Sequence, residues 1–177
     1  MASLVFTQNI GVTMPHGQAG SYARQPDMIV NTFPTGGTDL INFGTALKLD
    51  NGAVVAMASG DTADLFVGIA SREFKSALEY LNQGQGAYAP GEPCSVFQRG
   101  AINVKCQKGD PAYGASVYVR IADNASYPTA VVGGFEAEAD GGNTVELKGC
   151  LWMGPKDTNE VAELRITTFP NAGVVNA

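Results

Sequence analysis

Glycine and proline recur along the whole chain, 22 and 9 times in 177 residues, and they limit how long any regular element can run. Proline removes a backbone donor and glycine weakens a helix, so long helices are excluded where both recur. Short apolar runs lie between turn-forming stretches such as Asn51-Gly52 and Lys108-Gly109-Asp110-Pro111. Such runs are typical of strands. The sequence therefore predicts an all-β fold, an antiparallel β-barrel or sandwich of short strands with an extended N-terminal arm.

The individual strands follow from the same pattern. Residues 45–49 and 53–57 flank Asn51-Gly52 and predict a hairpin, because Asn-Gly favours a two-residue turn. Residues 65–70 predict a buried strand. Residues 94–98 and 101–106 predict a second hairpin that turns near Arg99-Gly100. Further strands are predicted at 116–121, 131–132, 135–139, 144–148, 150–153 and 161–167, the last with Glu163 on a solvated face.

The chain divides into an arm, a body and a tail. Residues 1–40 are rich in turn-forming pairs and lack sustained periodicity, so we expect an extended N-terminal arm. Its apolar pieces, residues 4–6 and 28–30, are candidates for edge strands that pair with the body or with a neighbouring subunit. Residues 41–169 form the β-barrel or sandwich body, with a long excursion at 72–93. Residues 170–177 are expected to form a flexible C-terminal tail.

Composition excludes several partners. The formal charge is −6 and no two basic residues are adjacent, so we expect no nucleic-acid binding. No apolar stretch approaches the ~20 residues of a membrane span, and the N-terminus lacks the features of a secretory signal. We therefore expect the chain to fold in a cytoplasm. Cys94, Cys106 and Cys150 lack metal-ligand spacing and predict reduced, buried thiols; Cys94 and Cys106 face each other only if the predicted hairpin has a three-residue loop.

Catalytic and cofactor sites find little support. His16 is the only histidine and lies in the arm, where a triad base lacks a rigid support. Glu136, Glu138 and Asp140 alternate, which places them on one strand face; a calcium or glycosidase site was weighed against a solvated face, and the solvated face is favoured. Residues 84–89 fit a loose dinucleotide pattern but follow no strand. We expect no enzyme activity, no catalytic residue, no metal and no cofactor.

The aromatic residues allow one alternative. Scattered tyrosines and Trp152 would line a groove in a carbohydrate-binding module. Trp152 lies between Leu151 and Met153, and we expect it in the core or in a subunit contact.

An ordered series of motifs resembles the structural cement or head-decoration proteins of tailed bacteriophages. Each motif is weak alone, and the order agrees along most of the chain. Cys94, where the family usually has valine, and a longer loop at 75–87 depart from the pattern. The similar stretches are Gly11 to Gly20 with Ala23-Arg24-Gln25-Pro26, Ile41 to Leu47, Phe66-Val67-Gly68-Ile69-Ala70, Tyr88 to Val96, Arg99 to Val104, Gly109-Asp110-Pro111-Ala112-Tyr113, Gly134-Phe135, Cys150-Leu151-Trp152 and Ala162 to Ile166.

The resemblance implies a virion structural protein that is synthesised in the host bacterial cytoplasm, binds the outer surface of the assembled phage capsid and stabilises it. The alternatives are a carbohydrate-binding or host-adsorption module of the virion, or a tail component, since small β-barrels recur in virion parts. The implied partners are the major capsid protein of a tailed phage and further copies of this chain, as a homotrimer or a homodimer. The family implies no catalytic residue. Contacts with the capsid or between subunits are predicted in the arm, at Met14, Pro15, His16, Gly17, Gly20, Arg24, Gln25 and Pro26.

Overall fold

The computed structural model describes residues 15–73 and 86–168, without the side chain of Pro26. Eleven strands occupy these residues, and none of the described helical segments is long and apolar enough to cross a membrane. Two short 3-10 turns lie at Ala63–Leu65 and Gly141–Asn143. The strands are β1 (Tyr22–Pro34), β2 (Ile41–Asn42), β3 (Ala46–Asp50), β4 (Ala53–Ala56), β5 (Phe66–Ala70), β6 (Ala87–Tyr88), β7 (Pro93–Lys105), β8 (Ser116–Arg120), β9 (Phe135–Glu136), β10 (Thr144–Trp152) and β11 (Val161–Ile166).

Nine of these strands form one antiparallel sheet around β7, which confirms the predicted fold class. The order is β4-β3-β5-β7-β11-β10-β8-β9, and β1 pairs with β7 as well. β2 and β6 form a separate two-stranded sheet. Isolated bridges join Thr35 to Val54 and Cys106 to Phe135. These bridges connect distant parts of the sheet, so it curls towards a barrel on both sides of β7.

The predicted Asn-Gly hairpin is confirmed. β3 and β4 pair from Asp50 opposite Ala53 to Leu47 opposite Ala56. Asn51 and Gly52 both have positive φ, +48° and +83°. Two positive φ values define the turn that matches the twist of a two-residue hairpin, and asparagine and glycine adopt them most readily.

The second predicted hairpin, at Arg99-Gly100, is wrong. β7 continues through this point as one strand of 13 residues. Phe97 and Ile102 are five positions apart, an odd number that would place them on opposite faces of a regular strand. Both nevertheless enter the same core, so one extra residue is needed between them. Gly100 has φ +106°, and a Cβ there would lie 2.2 Å from the backbone oxygen of Asp27 in β1. Gly100 therefore lies at a bulge in β7, where the backbones of β1 and β7 approach closely.

The remaining strand predictions have mixed outcomes. Strands at β5, β8 and β11 are confirmed. The strands predicted at 144–148 and 150–153 form one continuous strand, β10. The strand predicted at 135–139 is shorter and consists of the two residues of β9, and residues 131–132 form no strand. Residues 28–30 of the predicted arm belong to β1, which pairs with the body. Residues 4–6, 74–85 and the tail at 170–177 lie outside the described residues, and the arm boundary at 40 stays a prediction.

Alternating side chains fill two apolar clusters. Leu47, Ala70 and Val96 belong to the smaller one, whereas their chain neighbours Ala46, Ile69 and Phe97 belong to the larger one. The alternation of side chains along a strand explains the division. The larger cluster also contains fully buried Trp152, consistent with its predicted core position, and the three cysteines are buried and free.

Candidate functional site

The predicted contact residues gather on the outer face of β7 and β11, defined here by Ala101, Asn103, Glu163 and Arg165. Neighbouring residues on both strands, such as Ile102 and Leu164, enter the larger core. Alternation therefore directs the residues of the outer face away from that core. The chain from Pro15 to Arg24 crosses this face before it continues along β1.

Asn103 holds the segment that precedes β1. Its side-chain amide donates to the backbone oxygen of His16 at 2.7 Å and to Ser21 Oγ at 3.1 Å. Its backbone N–H donates to Ser21 O at 2.9 Å, and its backbone oxygen accepts the Gly20 N–H at 2.7 Å. Asn103 is buried under this segment. One residue of β7 thus binds three residues of the N-terminal segment.

Gly20 makes the close approach possible. Its φ is +82°, and a Cβ there would lie 3.0 Å from the backbone atoms Ala70 O, Arg72 N and Gly44 N. The Gly20 oxygen also accepts the Arg72 N–H at 2.7 Å. A larger residue would have to displace backbone on three sides while holding a left-handed conformation. Gly20 therefore fixes the N-terminal segment to the body.

His16 is bound at a second place, the loop that connects β10 to β11. Its backbone N–H donates to Asp157 Oδ2 at 2.8 Å, and its ring Nε2 lies 3.1 Å from Pro155 O, which requires the proton on Nε2. Burial opposes ionisation of Asp157, but N–H groups of Val161, His16 and Asn159 hold the pKa of that carboxyl below its usual value. We call His16, Asn103, Pro155 and Asp157 the clasp.

A shallow groove of about 360 Å³ lies beside the clasp. Lys156 joins its two sides, since Nζ donates to Gly109 O at 2.8 Å and lies 3.4 Å from an oxygen of Asp110. Tyr113, 78% exposed, belongs to the loop on one side. The lining is mostly apolar and consists of Asp110, Pro111, Pro155, Lys156, Asp157 and Thr158.

Three arginines lie along β1, β7 and β11. Arg24 is mostly exposed and its Nε donates to Glu163 Oε1 at 2.7 Å; this hydrogen bond raises the pKa of Arg24. Arg99 and Arg165 each lie 3.1 Å from a carboxylate oxygen of Asp27. The prediction that Glu163 faces water is wrong, because Glu163 is only 6% exposed beneath Arg24.

The structure thus brings together most of the predicted contact residues. Pro15, His16, Gly17 and Gly20 lie in the segment held by Asn103; Arg24 and Gln25 are exposed in β1, which also contains Pro26. Met14 lies outside the described residues. Sequence reasoning missed Asn103 and Asp157, because no local signal marks them: they are 87 and 141 residues from His16.

Glu136, Glu138 and Asp140, the three carboxylates considered for a calcium or glycosidase site, lie in three different environments. Glu136 is fully buried, so the predicted solvated face is wrong for this residue. Arg120, equally buried, binds it through two hydrogen bonds of 2.5 and 3.0 Å and reaches Asp140 at 2.8 Å. Hydrogen bonds from Asn124 and Arg120 hold the pKa of Asp140 well below its usual range. Glu138 is exposed. We call Arg120, Glu136 and Asp140 the buried ion cluster.

The three cysteines are buried and carry free thiols. Burial raises the pKa of Cys94 and Cys150 to about 12 and that of Cys106 to about 11, so all three stay protonated at neutral pH. Within residues 15–73 and 86–168, no group of three or more histidine, cysteine or acidic side chains is placed to hold a metal ion.

Comparisons with known proteins identify a shared fold and a protein family. A chain in the solved capsid of Myoviridae phage XM1 superimposes with a TM-score of 0.69 at 20% identity, over 94% of this chain and 99% of the other, and therefore shares the fold. No curated protein matches. The family model of the XM1 gp53 minor capsid protein matches residues 7–166. Because the match spans most of the sequence, this chain belongs to the XM1 gp53 minor capsid protein family.

Proposed function

We propose that the protein is a cement or decoration protein, which binds the outer surface of an assembled phage capsid and stabilises it. Membership of a minor capsid protein family is the observation that carries this proposal. The major capsid protein is the proposed partner. No catalytic role is assigned, and the proposed location is the virion surface after synthesis in the host cytoplasm.

The outer face supports a binding role. Together with the adjoining parts of β1 and β7, it carries three of the chain's five arginines, in a protein of net charge −6. Arg24 pairs with Glu163, and Arg99 and Arg165 pair with Asp27. Residues 1–14, which lead into this face, carry no charged side chain and contain eight apolar ones. An uncharged, largely apolar stretch of sequence and a surface with exposed guanidinium groups both suit a contact with another protein. We propose that this segment and the outer face contact the capsid.

Stabilisation follows from selective binding. A ligand that binds the assembled shell and not its separated subunits stabilises the shell by about 2.7 kcal/mol per site when its concentration is 100 times Kd. Many sites on one shell multiply the effect. We propose a homotrimer at local threefold positions, because a symmetric oligomer binds several capsid subunits at once; a homodimer is the alternative.

The structure determines where the arm is best cut for a test. A chain that starts near Thr38 lacks β1 and leaves one edge of β7 without its strand partner. A chain that starts at Pro15 keeps β1, Gly20 and the clasp. We expect this shorter chain to unfold at nearly the same temperature as the full chain, and to bind shells at least about tenfold more weakly.

The experiment uses expanded capsids that lack the protein. Both chains are titrated onto shells, the shells are pelleted, and the bound copies are counted. Saturable binding by the full chain is the expected result. Failure of the full chain to bind any expanded shell would contradict the proposal, whereas equal occupancy by both chains would contradict only the role of residues 1–14.

A further inference from the structure

Two arginines cross β7 in opposite directions on the outer face. Arg24 in β1 and Arg165 in β11 both lie opposite Ala101 in β7. Arg24 Nε donates to Glu163 Oε1 of β11 at 2.7 Å. Arg165 Nη2 donates to Asp27 Oδ2 of β1 at 3.1 Å. Both side chains therefore pass over β7, and the small side chain of Ala101 leaves room for them.

These hydrogen bonds fix both guanidinium groups at the protein surface. The side chain of Arg24 is mostly exposed and that of Arg165 is partly exposed. Among the described residues, each of the two donates one hydrogen bond to a carboxylate, whereas a guanidinium group has several N–H donors in one plane. A planar fork of donors matches the two oxygens of a carboxylate, and a side chain that is already fixed loses little entropy on binding. The two arginines are therefore suited to bind a carboxylate of another protein.

The charge of this region has the opposite sign to that of the whole chain. Arg99 also lies 3.1 Å from an oxygen of Asp27, so three guanidinium groups share the carboxylates of Asp27 and Glu163. One positive charge is unbalanced here, whereas the chain carries a net charge of −6. An acidic partner is repelled by the net charge of the chain and attracted to this region. Residues 1–14 carry no carboxylate side chain, so they do not supply such a group.

An apolar side chain continues the same line across the sheet. Leu151 of β10 lies opposite Arg165 and is 37% exposed. Adjacent strands are about 4.8 Å apart, so Leu151 lies roughly 10 Å from Ala101, two strands away. An extended chain spans this distance in about three residues. We call Arg24, Ala101, Arg165 and Leu151 the arginine row.

We propose that the arginine row binds an acidic segment of the major capsid protein. An aspartate or glutamate of that segment meets Arg24 and Arg165, and an apolar side chain about three residues away meets Leu151. This inference rests on the proposed function and adds the chemistry of the partner. The charged contacts orient the segment on the sheet, and the apolar contact adds buried area.

Neutral variants, titrated onto expanded capsids that lack the protein, test the proposal. Arg24→Gln and Arg165→Gln each remove one positive charge. Lys105→Gln is the matched control, because Lys105 is exposed and lies four positions from Ala101 along β7, roughly 13 Å away. Exposed charges are screened over about 8 Å at about 0.15 M salt, so Lys105 contributes little to the field at the arginine row.

Two further measurements sharpen the test. Leu151→Ala is compared with Leu49→Ala, since Leu49 of β3 is 40% exposed and lies outside the arginine row. Thermal unfolding is measured for every variant. If Arg165→Gln lowers the unfolding temperature, Arg24→Gln decides the outcome, because Arg24 is the more exposed of the two arginines.

At about 0.15 M NaCl, each arginine variant should bind shells at least about tenfold more weakly than the wild type, the loss expected for one charge-assisted hydrogen bond. Lys105→Gln should bind within about twofold of the wild type. Leu151→Ala should weaken binding about threefold, and Leu49→Ala should leave it unchanged. At about 0.5 M NaCl the difference between the wild type and the arginine variants should shrink, because salt screens the attraction.

Arginine and lysine variants that bind shells equally well would overturn the proposal. A difference between the wild type and the arginine variants that salt leaves unchanged would also overturn it, because the contact would not involve a charged partner. In both cases the wild type still binds shells, so the proposed function stands. Failure of the wild type to bind any expanded shell would overturn the proposed function and this inference together.

Discussion

The clasp and the buried ion cluster both join distant parts of the chain through polar groups, in opposite ways. The clasp joins backbone groups to the Asn103 amide, the His16 ring and the Asp157 carboxylate, and His16 is half-buried. The ion cluster places Arg120 and Glu136 wholly inside the protein. Charges removed from water must stay paired, so the ion cluster is expected to govern the stability of the body. The clasp contains no buried ion pair, and it is expected to govern where the N-terminal segment lies.

Arg120→Met should have the largest effect. It leaves Glu136 buried without its guanidinium, and breaking a buried ion pair from one side costs about 3–5 kcal/mol. Urea denaturation measures the loss. Lys105→Met is the matched control. The side chains of Lys105 and Glu160 are 58% and 50% exposed, so breaking their ion pair is expected to cost about 0–1 kcal/mol of stability. Equal losses in the two variants would contradict the distinction between the buried and exposed ion pairs.

Gly100→Ala should have the next largest effect on the stability of the fold. The added Cβ meets Asp27 O at 2.2 Å with φ at +106°, so strain and displacement of β1 together should cost about 2–4 kcal/mol. Gly154→Ala is the control, because its Cβ meets no atom within 4 Å. Thermal unfolding of both variants measures the difference. A Gly100→Ala variant as stable as the wild type would show that β1 is not held against β7 at this bulge.

Acid should weaken the ion cluster progressively. The pKa of Asp140 is lowered in the folded protein, so its contribution is present above the ordinary aspartate pKa and is lost as pH falls below that value. We expect urea midpoints to fall between about pH 5 and pH 2, and to fall less steeply in Asp140→Asn. Glu138→Gln, an exposed change in the same segment, is the control. Identical pH profiles for Asp140→Asn and the wild type would contradict the role of Asp140.

Asn103→Ala should have the smallest effect on unfolding. It removes hydrogen bonds to His16 and Ser21 and should cost about 1–2 kcal/mol. The same change should release the N-terminal segment and increase amide hydrogen exchange at His16 and Gly20, whose N–H groups are hydrogen-bonded to Asp157 and to the Asn103 backbone oxygen. Ser21→Ala removes only one of these contacts and should affect exchange less. If exchange in this segment stayed unchanged, Asn103 would not be what holds it.

Local sequence signals predicted the fold where the deciding contacts are local. The β3–β4 hairpin follows from Asn51-Gly52 alone. Gly100 was misread as a turn because positive φ suits both a turn and a bulge, and the choice depends on Asp27 in β1. Glu163 was assigned to water because its strand alternates, and Arg24, 139 residues away, covers it instead.

Of the candidate site, the sequence predicted the residues of the N-terminal segment but not the residues that bind them. The arm motifs identified His16, Gly20 and Arg24, which the structure places on one face. Their partners Asn103 and Asp157 lie in strand and loop sequences with no distinguishing pattern. Such pairings depend on how β7 and β11 are brought together, which a single sequence does not specify.

The most direct test of the capsid-stabilising role is the melting temperature of expanded shells as the protein is added. We predict that the melting temperature of the shells rises with the number of bound copies and reaches a plateau when binding saturates. Arg24→Glu should lower both the number of bound copies and the melting temperature of the shells. Shells that bind the protein to saturation and still melt at the temperature of bare shells would contradict the stabilising role.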